Sequence, residues 1–403
     1  MLRFAIAVVL ALALAMTSAV YTQEGAQAAT MILQSDFETD PVAQGWVPTP
    51  NKDVAPVWAT GKGHSGEHYV EMSAGKWESP TFAVKPFNFY RVDFWYQASG
   101  SGHIAAFSYD AEGEFIASDV YEYIAPSGQW AQKTFLFRGC NQATTAKIIL
   151  MSGYWPQGEK LLRVDDLQVQ EVSDEEGLQV ADEMWAGMPE MTWTPPAKRW
   201  ENLPKTMAKL REGKTLKIVM LGDSIINDTS NGPWDLLLER LYPGSEVQLQ
   251  VSVRGSTGCW YYQDPEQLKA YVLDHSPDLV WIGGISQKGD IDAIESVIDQ
   301  TRAAQPEVEF ILSGHTCGTT SDPRSNPEWS SVTDPHGDNW RSLLYQRAEK
   351  KQVQYVDLSS GWGWYVKHSD KPYNYFMRDL LHANDHGRMV LSRTIEAYFK
   401  PQG

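Results

Sequence analysis

The chain sets Gly222-Asp223-Ser224 directly after the apolar run Lys217-Ile218-Val219-Met220-Leu221. Far downstream it sets Asp379 three residues ahead of His382, in Arg378-Asp379-Leu380-Leu381-His382-Ala383-Asn384. A serine at the end of a buried strand can present its hydroxyl at the carboxyl edge of a parallel sheet, where open α/β folds build their sites. That hydroxyl is a poor nucleophile near neutral pH until a base takes its proton, and a histidine oriented by a carboxylate is such a base. Ser224, His382 and Asp379 are therefore candidates for nucleophile, base and orienting acid, and the chemistry of such a set is acyl transfer. The structural alternative is a strand-to-helix turn that uses Gly and Ser as ordinary turn and cap residues.

The elements that would position these residues can be read from the hydrophobic pattern. From about Lys205 strand and helix patterns alternate. Strands are predicted at Leu216–Leu221, Val247–Val253, Leu279–Gly283, Glu309–Leu312 and Gln354–Leu358, and helices at Trp234–Leu241, Asp290–Ala304, Trp340–Lys350 and Arg388–Phe399. Such alternation predicts an α/β fold, a parallel sheet with helices on both faces. From Met31 to about Val172 the runs are short, β-prone and separated by turn residues, which predicts an all-β sandwich. Ser173 to Pro204 is a connector holding Trp185, Trp193, Trp200 and Pro195-Pro196, and this composition predicts packing along one or both units rather than a swinging linker.

At the N-terminus, Arg3, the apolar run Phe4–Met16 and the small-residue Ala26-Gln27-Ala28 form the pattern of a secretory leader, with Thr17-Ser18-Ala19 as an earlier cleavage site. The run is short for a membrane span. The expected organisation is therefore a leader at 1–28, a sandwich at 29–172, a connector at 173–204 and an α/β unit at 205–403, in an exported (secreted or periplasmic) chain without an integral membrane segment. A formal net charge of −17 argues against nucleic-acid binding, which relies on basic surface to meet phosphates. Sixteen Trp and eighteen Tyr supply flat faces that fill cores or stack on sugar rings. The three cysteines permit at most one bridge. Cys259 and Cys317 follow apolar strands, so parallel neighbours would bring their loops to one sheet edge and allow a Cys259–Cys317 disulfide. Cys140 is then a buried thiol. No Cys/His grouping has metal-ligand spacing, and neither metal nor cofactor is expected.

With these residues in hand, 205–403 resembles the GDSL or SGNH hydrolase family. Gly222-Asp223-Ser224 matches its first block and Asp379-Leu380-Leu381-His382 its last. The resemblance implies a flavodoxin-like three-layer α/β/α fold and an esterase acting on acyl or acetyl groups, with Ser224, Asp379 and His382 catalytic. It also implies an oxyanion hole built from the Ser224 N–H, the N–H of Gly258 in Arg254-Gly255-Ser256-Thr257-Gly258, and an Asn side chain in a third block. Here the chain departs from the family: Val280-Trp281-Ile282-Gly283-Gly284 leads to Ile285 at the Asn position, and its side chain donates nothing. Two expectations follow: Gln287 (or Ser286) supplies the missing donor, or the hole is incomplete and the activity weak or lost.

The first 29–172 residues resemble carbohydrate-binding modules of the jelly-roll type, through Asp36-Phe37-Glu38, Gly45-Trp46 and the closing Arg163-Val164-Asp165-Asp166-Leu167. Substrate contacts are expected at His315, Trp260 and Trp362, with loop structure and core packing as their alternatives. Asn227 and Asp228 are read as caps of the next helix or as pocket residues. Taken together, these features predict an exported serine esterase removing O-acyl groups, most simply acetyl, from a carbohydrate or polysaccharide. The rivals are a lipase- or thioesterase-like hydrolase of the same fold and a non-catalytic carbohydrate-binding protein with a degenerate SGNH unit.

Overall fold

Alternation of apolar and polar residues shapes the N-terminal half. In Phe89–Ala98 the buried Tyr90, Val92, Phe94, Tyr96 and Ala98 alternate with Arg91, Asp93, Trp95 and Gln97, the period of a strand with one face in a core. The computed structural model describes residues 30–51, 53–100, 102–140, 142–152, 160–314, 322–326 and 329–401. The leader expected at 1–28, His315 and Cys317 lie outside these residues.

The strands of this half are β1 (Thr30–Ser35), β2 (Val47–Thr49), β3 (Val57–Thr60), β4 (His68–Met72), β5 (Gly75–Glu78), β6 (Phe82–Ala83), β7 (Phe89–Ala98), β8 (Gly102–Tyr109), β9 (Phe115–Ile124), β10 (Ser127–Arg138), β11 (Thr145–Ser152) and β12 (Leu162–Val172). They form two antiparallel sheets, β10-β7-β12-β4-β3 with β1 on β12, and β2-β5-β11-β8-β9 with β6 on β11. The sheets close over one core that includes Phe37, Trp46, Trp77, Phe94, Phe135 and Phe137. The all-β sandwich of the sequence reading is what the structure shows.

The connector is not irregular. Ser173 caps α1 (Asp174–Ala186), its side chain accepting the Glu176 N–H, and the acidic first turn complements the positive end of the helix dipole. Beyond it Trp193 donates to the Ser360 hydroxyl at 3.0 Å and Tyr365 donates to the Pro189 carbonyl at 2.7 Å, which packs this stretch onto the C-terminal unit.

The C-terminal sheet is parallel, β14-β13-β15-β16-β17, from β13 (Thr215–Gly222), β14 (Glu246–Val253), β15 (Leu279–Ile282), β16 (Glu309–Ser313) and β17 (Gln354–Val356). Its helices are α2 (Pro204–Arg211), α3 (Ser224–Ser230), α4 (Trp234–Leu241), α5 (Cys259–Tyr262), α6 (Pro265–Tyr271), α7 (Asp292–Ala304), α8 (Trp340–Lys351), α9 (Leu358–His368) and α10 (Asp385–Phe399). The central strands are buried on both faces, as expected of a sheet covered on two sides, with one core around Trp234, Trp281 and Tyr398 and another around Val280, Val297 and Phe310. This is the SGNH-type α/β fold expected from the sequence.

The two units are joined by buried charge. From β10, Arg138 forms a bidentate ion pair with Asp235 of α4 at 2.8 and 3.0 Å, and Lys133 pairs with Asp385 of α10 at 2.9 Å. Strand β9 lies against α3 and α10, so the sandwich flanks the helix that begins with Ser224.

Candidate active site

The parallel register aligns the carboxyl ends of three neighbouring strands: Gly222 stands beside Val253, and Leu221 beside Ile282. The segments that follow them carry Ser224, Gly258 and Gln287, so residues far apart in sequence share one sheet edge. A Gly222 Cβ would run into the Gly283 carbonyl, so a residue larger than glycine would push β13 away from the segment after β15.

Asp223 is the N-cap of α3, and its buried carboxylate accepts the Ile225 N–H at 2.9 Å through one oxygen and the Ser286 N–H at 2.7 Å through the other. It thereby ties the turn that carries Ser224 to the next segment. Gly284 makes this close approach possible: its φ is +98°, and a Cβ there would collide with the Asp223 carboxylate.

Ser224, the first residue of α3, holds its Oγ 2.9 Å from His382 Nε2. His382 Nδ1 lies 2.8 Å from Asp379 Oδ2 and 3.0 Å from Oδ1. With Nδ1–H donating to the carboxylate, Nε2 turns its lone pair toward the serine hydroxyl. The Asp379–His382 segment is a preorganised loop. Met377 and Ala383 pair across it, Arg378 N–H donates to the His382 carbonyl at 3.0 Å, and Asp379 Oδ1 accepts the Leu381 and His382 N–H groups at 2.7 and 2.8 Å. Asn384 fastens its base, donating to the Tyr375 and Met377 carbonyls while capping α10 at Gly387. Burial raises the Asp379 carboxyl's pKa, but the hydrogen bond and charge of His382, the charge of Arg378 and the Leu381 N–H outweigh it. They hold the group well below the usual carboxylate range.

Two backbone donors face this edge. Among the described residues, neither the Ser224 N–H at the start of α3 nor the Gly258 N–H at the start of α5 has an acceptor. A Gly258 Cβ would sit 2.8 Å from the Ser286 carbonyl oxygen, which explains glycine there. Gln287 is buried, its Oε1 accepts the Cys259 N–H at 2.7 Å, and its Nε2 donates to the Gly283 carbonyl at 3.2 Å. The amide thus braces two segments through its oxygen and one of its two N–H groups, the role the structure gives it beside Ile285.

The remaining expectations divide. Trp260 is 43% exposed and packs over Gly258 and Gly289, so its indole stands at this edge. Trp362 is 2% exposed and packs edge-on against Phe376 in a core beneath α10, which corrects its reading as a substrate contact. Cys259 is a free buried thiol, which corrects the expected bridge to Cys317. Asp228 caps no helix: it lies inside α3 and is fully buried. Among the described residues no cluster of His, Cys, Asp and Glu could hold a metal ion, and no helix is long and apolar enough to cross a membrane. Arg378, which the sequence reading left without a role, stands between Asp228 and Asp379, 3.6 and 3.5 Å from their carboxylate oxygens. A cation next in sequence to Asp379 was the signal available for it.

Residues 220–389 match the model of the GDSL-like Lipase/Acylhydrolase family. No curated protein matches the chain. Among solved structures, the chain is similar to the CBM22-1 xylan-binding domain from Paenibacillus barcinonensis Xyn10C, at 13% identity and a TM-score of 0.30, over 37% of this chain and 99% of that one. It is also similar to a two-domain esterase (CEX) active on acetylated mannans, at 17% identity and a TM-score of 0.39, over 51% of this chain and 54% of that one. The chain thus spans about half the length of that esterase.

Proposed function

Taking the C-terminal unit as a GDSL-like acylhydrolase domain, we propose that the protein is an exported serine esterase that removes O-acyl groups, most simply acetyl, from a carbohydrate. The observation that carries the reading is the continuous hydrogen-bonded line from Ser224 Oγ through His382 to Asp379.

Ser224 Oγ attacks the ester carbonyl carbon as its proton passes to His382 Nε2, and Asp379 stabilises the imidazolium that results. Charge develops on the carbonyl oxygen, where the Ser224 and Gly258 N–H groups are available to receive it. The tetrahedral adduct collapses, the C–O bond to the sugar breaks, and Nε2 returns the proton to the departing alkoxide. Water then attacks the acyl-enzyme by the same steps in reverse roles, releasing the carboxylic acid and restoring the serine. With Ile285 in place of a donor, two backbone groups serve this hole. A missing donor costs about 100- to 1,000-fold in rate, which makes a slow esterase the expected product.

The carbohydrate reading is supported by the exposed Trp260 indole beside Gly258, by the sandwich flanking α3, and by the aromatic-rich composition. Export is proposed from the composition of residues 1–28. The 58% exposed Leu380 next to Asp379 favours, as a second reading, a substrate with an apolar acyl chain. Hydrolysis of chromogenic acetate and butyrate by the parent and by Ser224→Ala tests both. Turnover in the parent alone, with acetate preferred, is the expected result. A butyrate preference moves the reading to a lipolytic enzyme, and equal rates in parent and variant overturn the serine mechanism.

A further inference from the structure

Helix α3 delivers Ser224 at its first residue and, one turn later, buries Asp228 with no exposed surface. Asp228 Oδ2 accepts the N–H of Ala383, the residue directly after His382, at 3.2 Å. Oδ1 has no hydrogen-bond donor; its neighbour is the Arg378 guanidinium, 3.6 Å away. The Arg378 Nε lies in turn 3.5 Å from Asp379 Oδ2, and the Arg378 main chain closes the loop onto the His382 carbonyl. The same helix therefore holds the nucleophile at one end and the backbone of the base at the next turn.

We propose that Asp228 is a positioning residue for the acid–base loop. It sets the Ser224-to-His382 spacing through the Ala383 N–H, and it balances Arg378 so that Asp379 stays directed at the imidazole. The inference rests on the hydrolytic reading above. A buried carboxylate without a polar reason to be there is expensive, and an unbalanced guanidinium beside Asp379 would compete with His382 for the same oxygens. The charged and titratable groups facing Asp228 are Arg378, Asp379 and His382 of the loop and Arg388 of α10. Burial, the largest influence, holds the Asp228 carboxyl above its ordinary value, with Arg378, His382 and Arg388 pulling against it and Asp379 adding to the rise. Its ionised form lends negative charge to the surroundings of His382, and Arg378 lends positive charge.

The test is a pair of isosteric or near-isosteric changes read on the pH profile of kcat/KM for a small chromogenic ester. Asp228→Asn keeps an acceptor for Ala383 but removes a negative charge near the base, so the acidic limb moves to lower pH by about 0.5 to 1 unit. Arg378→Gln removes a positive charge and moves the limb upward. Both lower kcat by about 10- to 100-fold with little change in KM, as expected of misplacement at the reacting centre. Opposite limb shifts support the inference. Limbs that move together or stay put, even with lowered stability, overturn it, and Arg378→Gln decides alone if Asp228→Asn does not fold. A parent no faster than Ser224→Ala would instead sink the hydrolytic reading, so the two failures are distinguishable.

Discussion

Arg138 of β10 and Asp235 of α4 meet in a bidentate ion pair at 2.8 and 3.0 Å, with 5% and 9% of their side chains exposed, across the boundary between the sandwich and the α/β unit. The guanidinium also lies 4.2 Å over the Phe89 ring. Removing one member leaves the other charged, buried and unmatched, which typically costs 3–5 kcal/mol, whereas apolar replacement of both is often neutral. Asp235→Ala is therefore expected to lower unfolding free energy in urea by about 3–5 kcal/mol, and Arg138→Met with Asp235→Leu to recover most of it. A loss below about 1 kcal/mol for Asp235→Ala would show that the pair is solvated and the junction loose.

Gln287 bridges the Cys259 N–H and the Gly283 carbonyl, one residue from the Gly258 donor. Gln287→Ala leaves both backbone groups buried without partners, at about 1–3 kcal/mol each. Its kcat is expected to fall about 10- to 100-fold with KM nearly unchanged, because Gly258 is held less firmly where charge develops. Gln287→Glu should be worse, since a carboxylate oxygen would face the Gly283 carbonyl. Steady-state kinetics beside thermal melts separates the two losses. An unchanged kcat would remove Gln287 from the support of the hole.

His386 lies flat on Tyr375 at 3.9 Å, and its Nδ1–H donates to the Tyr375 carbonyl. Burial, the largest influence, carries its pKa down from 6.5 to about 4. The unfolded chain therefore takes up a proton that the folded chain refuses. The stability this residue allows is complete above pH 6.5 and is lost as pH falls toward 4, by about 3 kcal/mol. Asp165 acts with the opposite sign: burial and Asp166 raise it to about 6, so its folded form is favoured at the acidic end of the same window. The parent's stability curve is therefore flattened, and the difference between parent and His386→Phe isolates the histidine. Unfolding free energies at pH 4.5 and 7.5 should converge or cross for the variant relative to the parent, and a pH-independent difference would refute the assignment.

The chemistry-bearing motifs were legible because each is local: Gly-Asp-Ser closes a buried strand, and Asp379 and His382 share one loop. The parallel sheet was legible for a similar reason, its strands being continuous apolar runs between helical periods. What was missed depends on direction and capping. Gln287 reads as polar and near the hole, but which way its amide turns is set by the Cys259 N–H, a long-range partner. Trp362 reads as following a strand because the run Gln354–Leu358 has a strand's pattern. Asp357 instead caps α9 through the Ser360 N–H, and the helix turns the indole into the core. Ser173 likewise starts a helix inside what reads as a connector, from a Ser-Asp-Glu-Glu capping sequence.

The hydrogen bond between Ser224 and His382 spans 158 residues of sequence, while Asp379 and His382 are separated by three. The proposed acid–base pair is thus one contiguous piece, and Ser224 is made long before it during synthesis. A growing chain carries an inert serine until almost all of the α/β unit has emerged and the final loop has docked on α3. On the proposed mechanism reactivity is in this sense a proofreading mark: only a chain that has finished its sheet would set the imidazole against the serine.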